Sequence, residues 1–183
     1  MIETRLAGSV AAVRSLAEAT TGAAAAIVAV RDAARAGATI FTCGNGGSAA
    51  EALHLAEELV GRYREDREPL PAVCLNADAT ALTCIANDFG YAEVFSRQVE
   101  ALAAPGDVLV ALSTSGRSPN VVAALETARR MNVTAVGLLG KDGGDAAGLC
   151  DHAVVVPSDD TAHIQEAHLV LIHLMLEAVE SAG

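Results

Sequence analysis

Apolar residues change their spacing several times along the chain, and these changes predict alternating helices and strands. Residues 2–20 carry apolar side chains at helical intervals, and a second helix predicted over residues 23–36 ends at Gly37. Beyond Gly37 the apolar residues form short consecutive runs, which is typical of strands buried on both faces. Five such runs lie at residues 38–43, 72–75, 107–112, 133–139 and 152–156.

Helical spacing returns between and after these runs. It covers residues 48–62, where Ser48 is the expected cap, and then residues 79–86, 91–103, 119–131 and 162–179. Apolar strands that alternate with helices predict an α/β fold, with a parallel sheet covered on both faces. No linker, repeat or low-complexity segment divides the chain. We therefore expect residues 1–183 to form a single domain, with residues 1–36 as N-terminal helices.

Composition narrows the function classes. Of the 183 residues 52% are apolar and the formal net charge is −11, so a general nucleic-acid-binding protein is disfavoured. No run of about 18 uncharged apolar residues predicts a membrane span, and the first residues do not resemble a signal peptide. The 4 cysteines are widely spaced without a CxxC pair, which favours reduced thiols and a cytoplasmic location over disulfides.

The last predicted helix is apolar around most of its circumference. A helix of this kind has to be buried on several sides. A monomer of this size could bury it, but a subunit interface is the more natural place, so we expect an oligomer.

The segment Ser113-Thr114-Ser115-Gly116-Arg117-Ser118-Pro119 joins a predicted strand to a predicted helix. Ser118 suits the N-cap and Pro119 the first helical position. The free N–H groups and the positive end of the helix dipole would then face an anion, with hydroxyl groups nearby. An ordinary capped turn has the same residues, but the position after a strand favours a phosphate site.

A second loop, Gly44-Asn45-Gly46-Gly47-Ser48, also leads from a strand into a helix. Its glycines permit positive φ and a close approach of the backbone to a ligand. It matches neither the dinucleotide-binding GxGxxG motif nor the P-loop. A tight strand-to-helix turn is the alternative interpretation.

Two pairs of polar residues share helix faces. His54 and Glu58 lie four residues apart, a spacing compatible with a metal site, an acid/base site or a solvated pair. Gln165 and His173 lie about 80° apart around the last helix, so both could border one site. His168 points elsewhere, about 140° from His173, and fits that site less well.

Together these segments resemble the SIS (sugar isomerase) domain fold and, within it, the phosphoheptose isomerases. The resemblance covers essentially the whole chain. It is carried by the two loops above and by His54-Leu55-Ala56-Glu57-Glu58-Leu59, Gly61-Arg62-Tyr63, Asn87-Asp88-Phe89-Gly90, Gly140-Lys141-Asp142-Gly143-Gly144 and Ile164-Gln165-Glu166.

The resemblance implies a three-layer α-β-α sandwich with a five-stranded parallel sheet. It implies a homotetramer with active sites between subunits and the conversion of D-sedoheptulose 7-phosphate to D-glycero-D-manno-heptopyranose 7-phosphate through an enediol. Glu58 would be the base and His173 the acid. Other substrate contacts implied are Asn45, Gly46, Gly47, Asn87, Asp88, Ser113, Thr114, Ser115, Ser118 and Gln165, together with Glu58. One zinc ion per subunit would be held by His54, Glu58, Gln165 and His173.

Two points bear on this interpretation. Ala162 and His163 stand where the family pattern has an acidic-basic pair.

The alternative function is a non-catalytic SIS-fold protein, either a phosphosugar-binding regulator or a DnaA-associated replication-initiation partner. The replication proteins that resemble this chain lack the acidic residue of Glu58 and the imidazole of His173 and carry arginine in place of Ser115. This chain keeps all three residues, which favours the enzyme.

Overall fold

Five parallel strands form one sheet, in the order β2-β1-β3-β4-β5, in the computed structural model, which describes residues 1–181. The strands are β1 (Ile40–Cys43), β2 (Ala72–Cys74), β3 (Val108–Ser113), β4 (Thr134–Gly140) and β5 (His152–Val156). The helices are α1 (Ile2–Glu18), α2 (Thr20–Arg35), α3 (Gly47–Val60), α4 (Ala79–Phe89), α5 (Ser96–Leu102), α6 (Pro119–Arg130), α7 (Gly144–Ala147) and α8 (Thr161–Glu180), with a 3-10 turn at Tyr91–Glu93. The predicted α/β class and the five-stranded parallel sheet are confirmed.

The start of α3 differs from the prediction. Gly46, with φ of +59°, is the N-cap, so Ser48 lies inside the first turn and its side chain is buried instead of capping the helix. The reason is the positive φ, which turns the chain into the helix two residues earlier than a serine cap would. The helix also ends earlier than predicted, at Val60, with Gly61 following it.

Alternate residues of each central strand enter two separate hydrophobic cores. In β3, Val108 and Val110 pack with α1, α2, α3 and α8, whereas Leu109 and Ala111 pack with α5 and α6. Side chains that alternate across a strand produce this division even where every residue is apolar. The chain is thus a three-layer sandwich, as predicted.

Neighbouring strands β1 and β3 send their following helices to opposite faces of the sheet. Helix α3, after β1, packs in the first core, and α6, after β3, packs in the second. A crevice opens between two parallel strands wherever the helices diverge in this way, and ligands bind there. The loops at residues 44–46 and 114–118 border this crevice.

Much of the apolar circumference of α8 is covered within the subunit, although Leu174 is 40% exposed. Helices α1, α2 and α3 pack against it, and Ile164, Leu171 and Ile172 are fully buried. The N-terminal helices thus supply much of the cover for this helix within the subunit, and the expected oligomer stays a prediction. Exposed apolar side chains also lie on α1, where Ile2 and Leu6 are 73% and 60% exposed.

Within residues 1–181 no single helix is long and apolar enough to cross a membrane. Helices α1 and α2 reach that length and hydropathy only as a pair, which is bent by 79°.

Candidate active site

Hydroxyl groups crowd the loop between β3 and α6. Ser113 Oγ lies 3.4 Å from Ser118 Oγ and accepts a hydrogen bond of 3.1 Å from the backbone N–H of Gly116. Ser118 is the N-cap of α6 and Pro119 its first residue, as predicted, but the Ser118 hydroxyl makes no capping bond. That hydroxyl therefore faces the loop, beside the positive end of the helix dipole. The arrangement suits an anion.

The loop at residues 141–144, after β4, packs against the loop between β3 and α6. Gly116 has φ of +63°, and a Cβ atom there would overlap the carbonyl oxygen of Gly143. Beside this contact Arg117 donates two hydrogen bonds of 2.7 Å to the Asp142 carboxylate. The bonds from Arg117 hold the pKa of Asp142 well below its usual range. The backbone contact restrains the loop, and the exposed ion pair adds a weaker restraint.

The glycine loop after β1 is held by amide side chains. Asn76 donates a bond of 2.9 Å to the Gly44 carbonyl and accepts one of 3.1 Å from the Gly44 N–H. Asn45 pairs with Asn120, the buried second residue of α6, through two hydrogen bonds of 2.9 Å. The Tyr91 hydroxyl donates a further bond of 3.0 Å to Asn45 Oδ1.

Helices α3 and α8 bring three titratable side chains together. His54 Nε2 lies 3.3 Å from Glu58 Oε1, and the ring centroid of His173 lies 5.5 Å from that of His54. The His54 and Glu58 side chains are 30% and 19% exposed, so they are partly shielded from solvent and still accessible. Two imidazoles and a carboxylate at this spacing can exchange protons with a ligand or bind a cation.

Possible metal ligands also meet on α3 alone. Ligand atoms of His54, Glu57 and Glu58 all lie within 4.8 Å of one another. Glu57 was not among the predicted ligands. Nitrogen and carboxylate donors are the set that zinc prefers, so these residues fit that ion.

Gln165 lies apart from this group. A Cβ atom at Gly47 would overlap its side-chain amide, so Gln165 faces the start of α3. Eight residues separate it from His173, about 12 Å along the helix axis. Helices α3 and α8 thus run side by side in the same direction, with Gln165 at the glycine-loop end and His173 beside His54. His168 is buried and lies 3.1 Å from the Leu139 carbonyl, and burial lowers its pKa to about 4.

Asn87 and Asp88 lie at the end of α4, a helix with no buried residue. Both are exposed, and Asn87 Nδ2 donates to Asp88 Oδ1 over 2.7 Å. Tyr91, three residues beyond Asp88, connects this end of the helix to Asn45.

Comparisons with known proteins identify the family. Residues 7–140 match the SIS domain family. A phosphoheptose isomerase of Campylobacter concisus is 52% identical over 153 residues, which cover 84% of this chain and 81% of that protein. The chain belongs to the phosphoheptose isomerase family.

Solved structures of the family superpose on nearly the whole chain. The phosphoheptose isomerase of Neisseria gonorrhoeae gives a TM-score of 0.92 at 38% identity and covers 98% of this chain and 97% of its own. That of Francisella tularensis gives 0.93 at 31% identity, with 98% and 96% covered. The match extends to the N-terminal helices.

Sequence reasoning missed several side chains of this phosphoheptose isomerase fold. Tyr63 stacks near His173, with ring centroids 5.5 Å apart, and its N–H donates to Glu180. Glu51, one turn before His54, has a buried carboxylate oxygen without a hydrogen-bond partner, and burial raises its pKa to about 8. Residues three apart in a helix lie on the same side, so Glu51 and His54 are neighbours on α3, but nothing in the sequence signalled that the Glu51 carboxylate would be shielded from solvent.

The departure from the family pattern at residues 162–163 has a local structural role. His163 Nε2 lies 2.8 Å from Arg5 Nη1, and the same guanidinium donates to Asp160 over 2.7 Å. These contacts tie α1 to the start of α8 within one subunit.

Proposed function

We propose that this protein is an aldose-ketose isomerase that converts D-sedoheptulose 7-phosphate to D-glycero-D-manno-heptopyranose 7-phosphate. The observation that carries the proposal is the meeting of His54, Glu58 and His173 on two adjacent helices. One of these helices begins at the glycine loop that borders the β1/β3 crevice. An anion-binding loop lies on the other side of the same crevice. Since Glu58 lies eleven residues beyond Gly47, about 16 Å along α3, a phosphorylated sugar bound at these loops would meet the acid/base groups of a neighbouring copy of the chain.

The phosphate is the anchor in this proposal. Ser113, Thr114, Ser115 and Ser118 surround the start of α6 and offer hydroxyl donors to its oxygens. The helix dipole and the backbone N–H groups add to the attraction without a lysine. This local field matters because the chain as a whole carries a net charge of −11.

The sugar itself is assigned to the glycine loop and to the end of α4. Asn45, Gly46 and Gly47 would contact its hydroxyl groups, as would Gln165, which lies against Gly47. Asn87 and Asp88 would approach from α4, since they lie exposed beside the segment that carries Tyr91.

The reaction moves hydrogen between C1 and C2 and leaves the atomic composition unchanged. Glu58 removes a proton from C1 of the ketose while His173 donates a proton to the oxygen at C2, which forms an enediol. Return of a proton to C2 and loss of the proton on the C1 oxygen produce the aldose. A base and an acid at these positions serve both halves of the reaction.

His54, Glu58, Gln165 and His173 are the residues we propose to hold one zinc ion per subunit. Bound there, zinc would stabilise negative charge that develops on the substrate oxygens. His54, Glu58 and His173 lie together within a subunit, but Gln165 lies about 12 Å from His173 along α8. The complete set therefore calls for Gln165 from a neighbouring copy of the chain.

A homotetramer is consistent with that requirement. Ile2, Leu6 and Val10 form an exposed apolar stripe on α1, and Phe89 at the end of α4 is 53% exposed. Contact between copies would cover these surfaces. We place the enzyme in the cytoplasm, where reduced thiols agree with the absence of disulfides among its 4 cysteines.

Incubation of the purified protein with sedoheptulose 7-phosphate, followed by NMR of the sugar C1 and C2 signals, tests the proposal. The wild-type protein should produce the aldose. Glu58→Gln keeps the side-chain shape but removes the proton acceptor, so turnover should fall by about 10²–10⁴-fold. Glu126→Gln, the same change at an exposed site on α6, is the control and should retain full turnover. Full activity of Glu58→Gln would remove Glu58 from the mechanism, and binding without conversion by the wild type would favour the non-catalytic regulator.

A further inference from the structure

The amide pair between Asn45 and Asn120 crosses the β1/β3 crevice. Asn45 belongs to the loop after β1, and Asn120 is the second residue of the helix after β3. Each donates to the other over 2.9 Å. The Asn120 residue is only 2% exposed, so water does not compete for these bonds.

A backbone N–H fixes which way both amides face. The N–H of Val121 donates to Asn120 Oδ1 over 3.0 Å, and a backbone N–H can donate only to an acceptor. The Asn120 oxygen must therefore face Val121 and Asn45 Nδ2. Asn120 Nδ2 then faces Asn45 Oδ1, which also accepts from Tyr91. The first turn of α6 thus sets the orientation of a side chain in the other loop.

Little hydrogen-bonding capacity remains on Asn45. Its oxygen accepts two bonds, from Asn120 and Tyr91, and one of its two Nδ2 hydrogens goes to Asn120. One N–H is left for a ligand. That single donor can bind a hydroxyl or carbonyl oxygen of a sugar but cannot accept from a sugar hydroxyl.

We propose that Asn120 is a positioning residue, which contacts no substrate but aims the one free N–H of Asn45 at a sugar oxygen. The proposal rests on the isomerase function above and deepens it. It also couples the two loops: the helix that receives the phosphate determines where the sugar-binding amide lies.

Asn120→Asp tests this with almost no change in volume. Aspartate keeps the acceptor for Val121 but loses the donor, so an oxygen of the new side chain would face an oxygen of Asn45 whichever way Asn45 turns. We expect kcat/KM for sedoheptulose 7-phosphate to fall by about tenfold to a hundredfold, mainly through KM. Asn132→Asp, the same change at an exposed residue at the opposite end of the sheet, should leave both constants unchanged.

A second variant separates positioning from a direct effect of the new charge on phosphate. In an Asn45→Ala background, Asn120→Asp should cause no further loss, because the group that it positions is gone. A further loss of tenfold or more in the double variant would overturn the proposal, as would wild-type kinetics for Asn120→Asp. If Asn120→Asp does not fold, Tyr91→Phe replaces it: its effect of about two- to tenfold should likewise vanish in the Asn45→Ala background, and persistence would count against the proposal.

Side-chain amide NMR distinguishes failure of this inference from failure of the proposed function. In the wild-type protein the Asn45 amide hydrogens should exchange with solvent more slowly than those of Asn132, and Asn120→Asp should abolish the difference. This result is expected even of a protein that converts no sedoheptulose 7-phosphate. Equal exchange rates for Asn45 and Asn132 in the wild type would overturn the inference whatever the activity.

Discussion

Alanine at Gly116 should distort the proposed phosphate loop. Gly116 has φ of +63°, and left-handed backbone costs a residue with a Cβ about 1–2 kcal/mol. The new Cβ would overlap the carbonyl of Gly143 and lie 2.9 Å from the N of Gly144. Moving those atoms also strains the 3.0 Å bond from the Ala146 N–H to the Gly116 carbonyl, worth about 1 kcal/mol. The sum is at least about 2–3 kcal/mol before the steric overlap is counted.

Thermal unfolding and kinetics measure this loss. A penalty of about 2–3 kcal/mol corresponds to a fall of about 4–12 °C in Tm for a domain of this size. KM for sedoheptulose 7-phosphate should rise by at least tenfold, because the serine hydroxyls no longer converge. Gly148→Ala is the matched control: its φ is −74° and a Cβ would meet no atom within 4 Å. If Gly116→Ala matched Gly148→Ala in both Tm and KM, the bracing of this loop by residues 143–144 would be refuted.

Two further predictions concern metal and pH. Protein purified without chelator should hold about one zinc per subunit. Removal of the metal by EDTA should lower turnover and leave the proposed oligomer intact on gel filtration, since apolar surfaces would hold its subunits together. Full turnover by metal-free protein would contradict the zinc site. Burial raises the pKa of Glu51 from 4.5 to about 8. The contribution of Glu51 to the free energy of unfolding is therefore complete below pH 4.5 and is lost as the pH rises through 8. The pKa shift alone corresponds to about 5 kcal/mol, which the partial exposure of the side chain reduces. In urea unfolding, the free energy of unfolding of Glu51→Gln should exceed that of the wild type by about 2 kcal/mol at pH 9 and by far less at pH 5. An equal difference at both pH values would contradict the shift.

The local sequence pattern was sufficient to predict β3 and the start of α6, which flank the hydroxyl-rich loop. The apolar run at residues 107–112 and the Ser118-Pro119 pair predicted β3 and the start of α6 to within one residue. The reason is that strand burial and the first turn of a helix depend on residues close in sequence. The start of α3 was missed because the positive φ of Gly46, not a serine side chain, begins that helix.

Long-range contacts decided which side chains and helices meet, and no local sequence pattern predicts this. His54 and Glu58 are helix neighbours, but His173 joins them only because α8 packs beside α3. The cover that α1 and α2 provide over α8 likewise follows from packing, because residues far apart in sequence meet in one core.

The sequence by itself determined the fold class, the hydroxyl- and glycine-rich loops after β1 and β3 and the residue types able to move a proton, since these follow from periodicity, turn chemistry and motif spacing. Only the tertiary structure decided that Asn120 forms hydrogen bonds with Asn45, 75 residues away, that Gln165 faces Gly47 apart from His173, and that a carboxylate oxygen of Glu51 is shielded from solvent. Hydrogen bonds and desolvation depend on which atoms meet in space, and that is set by the packing of helices on opposite faces of the sheet.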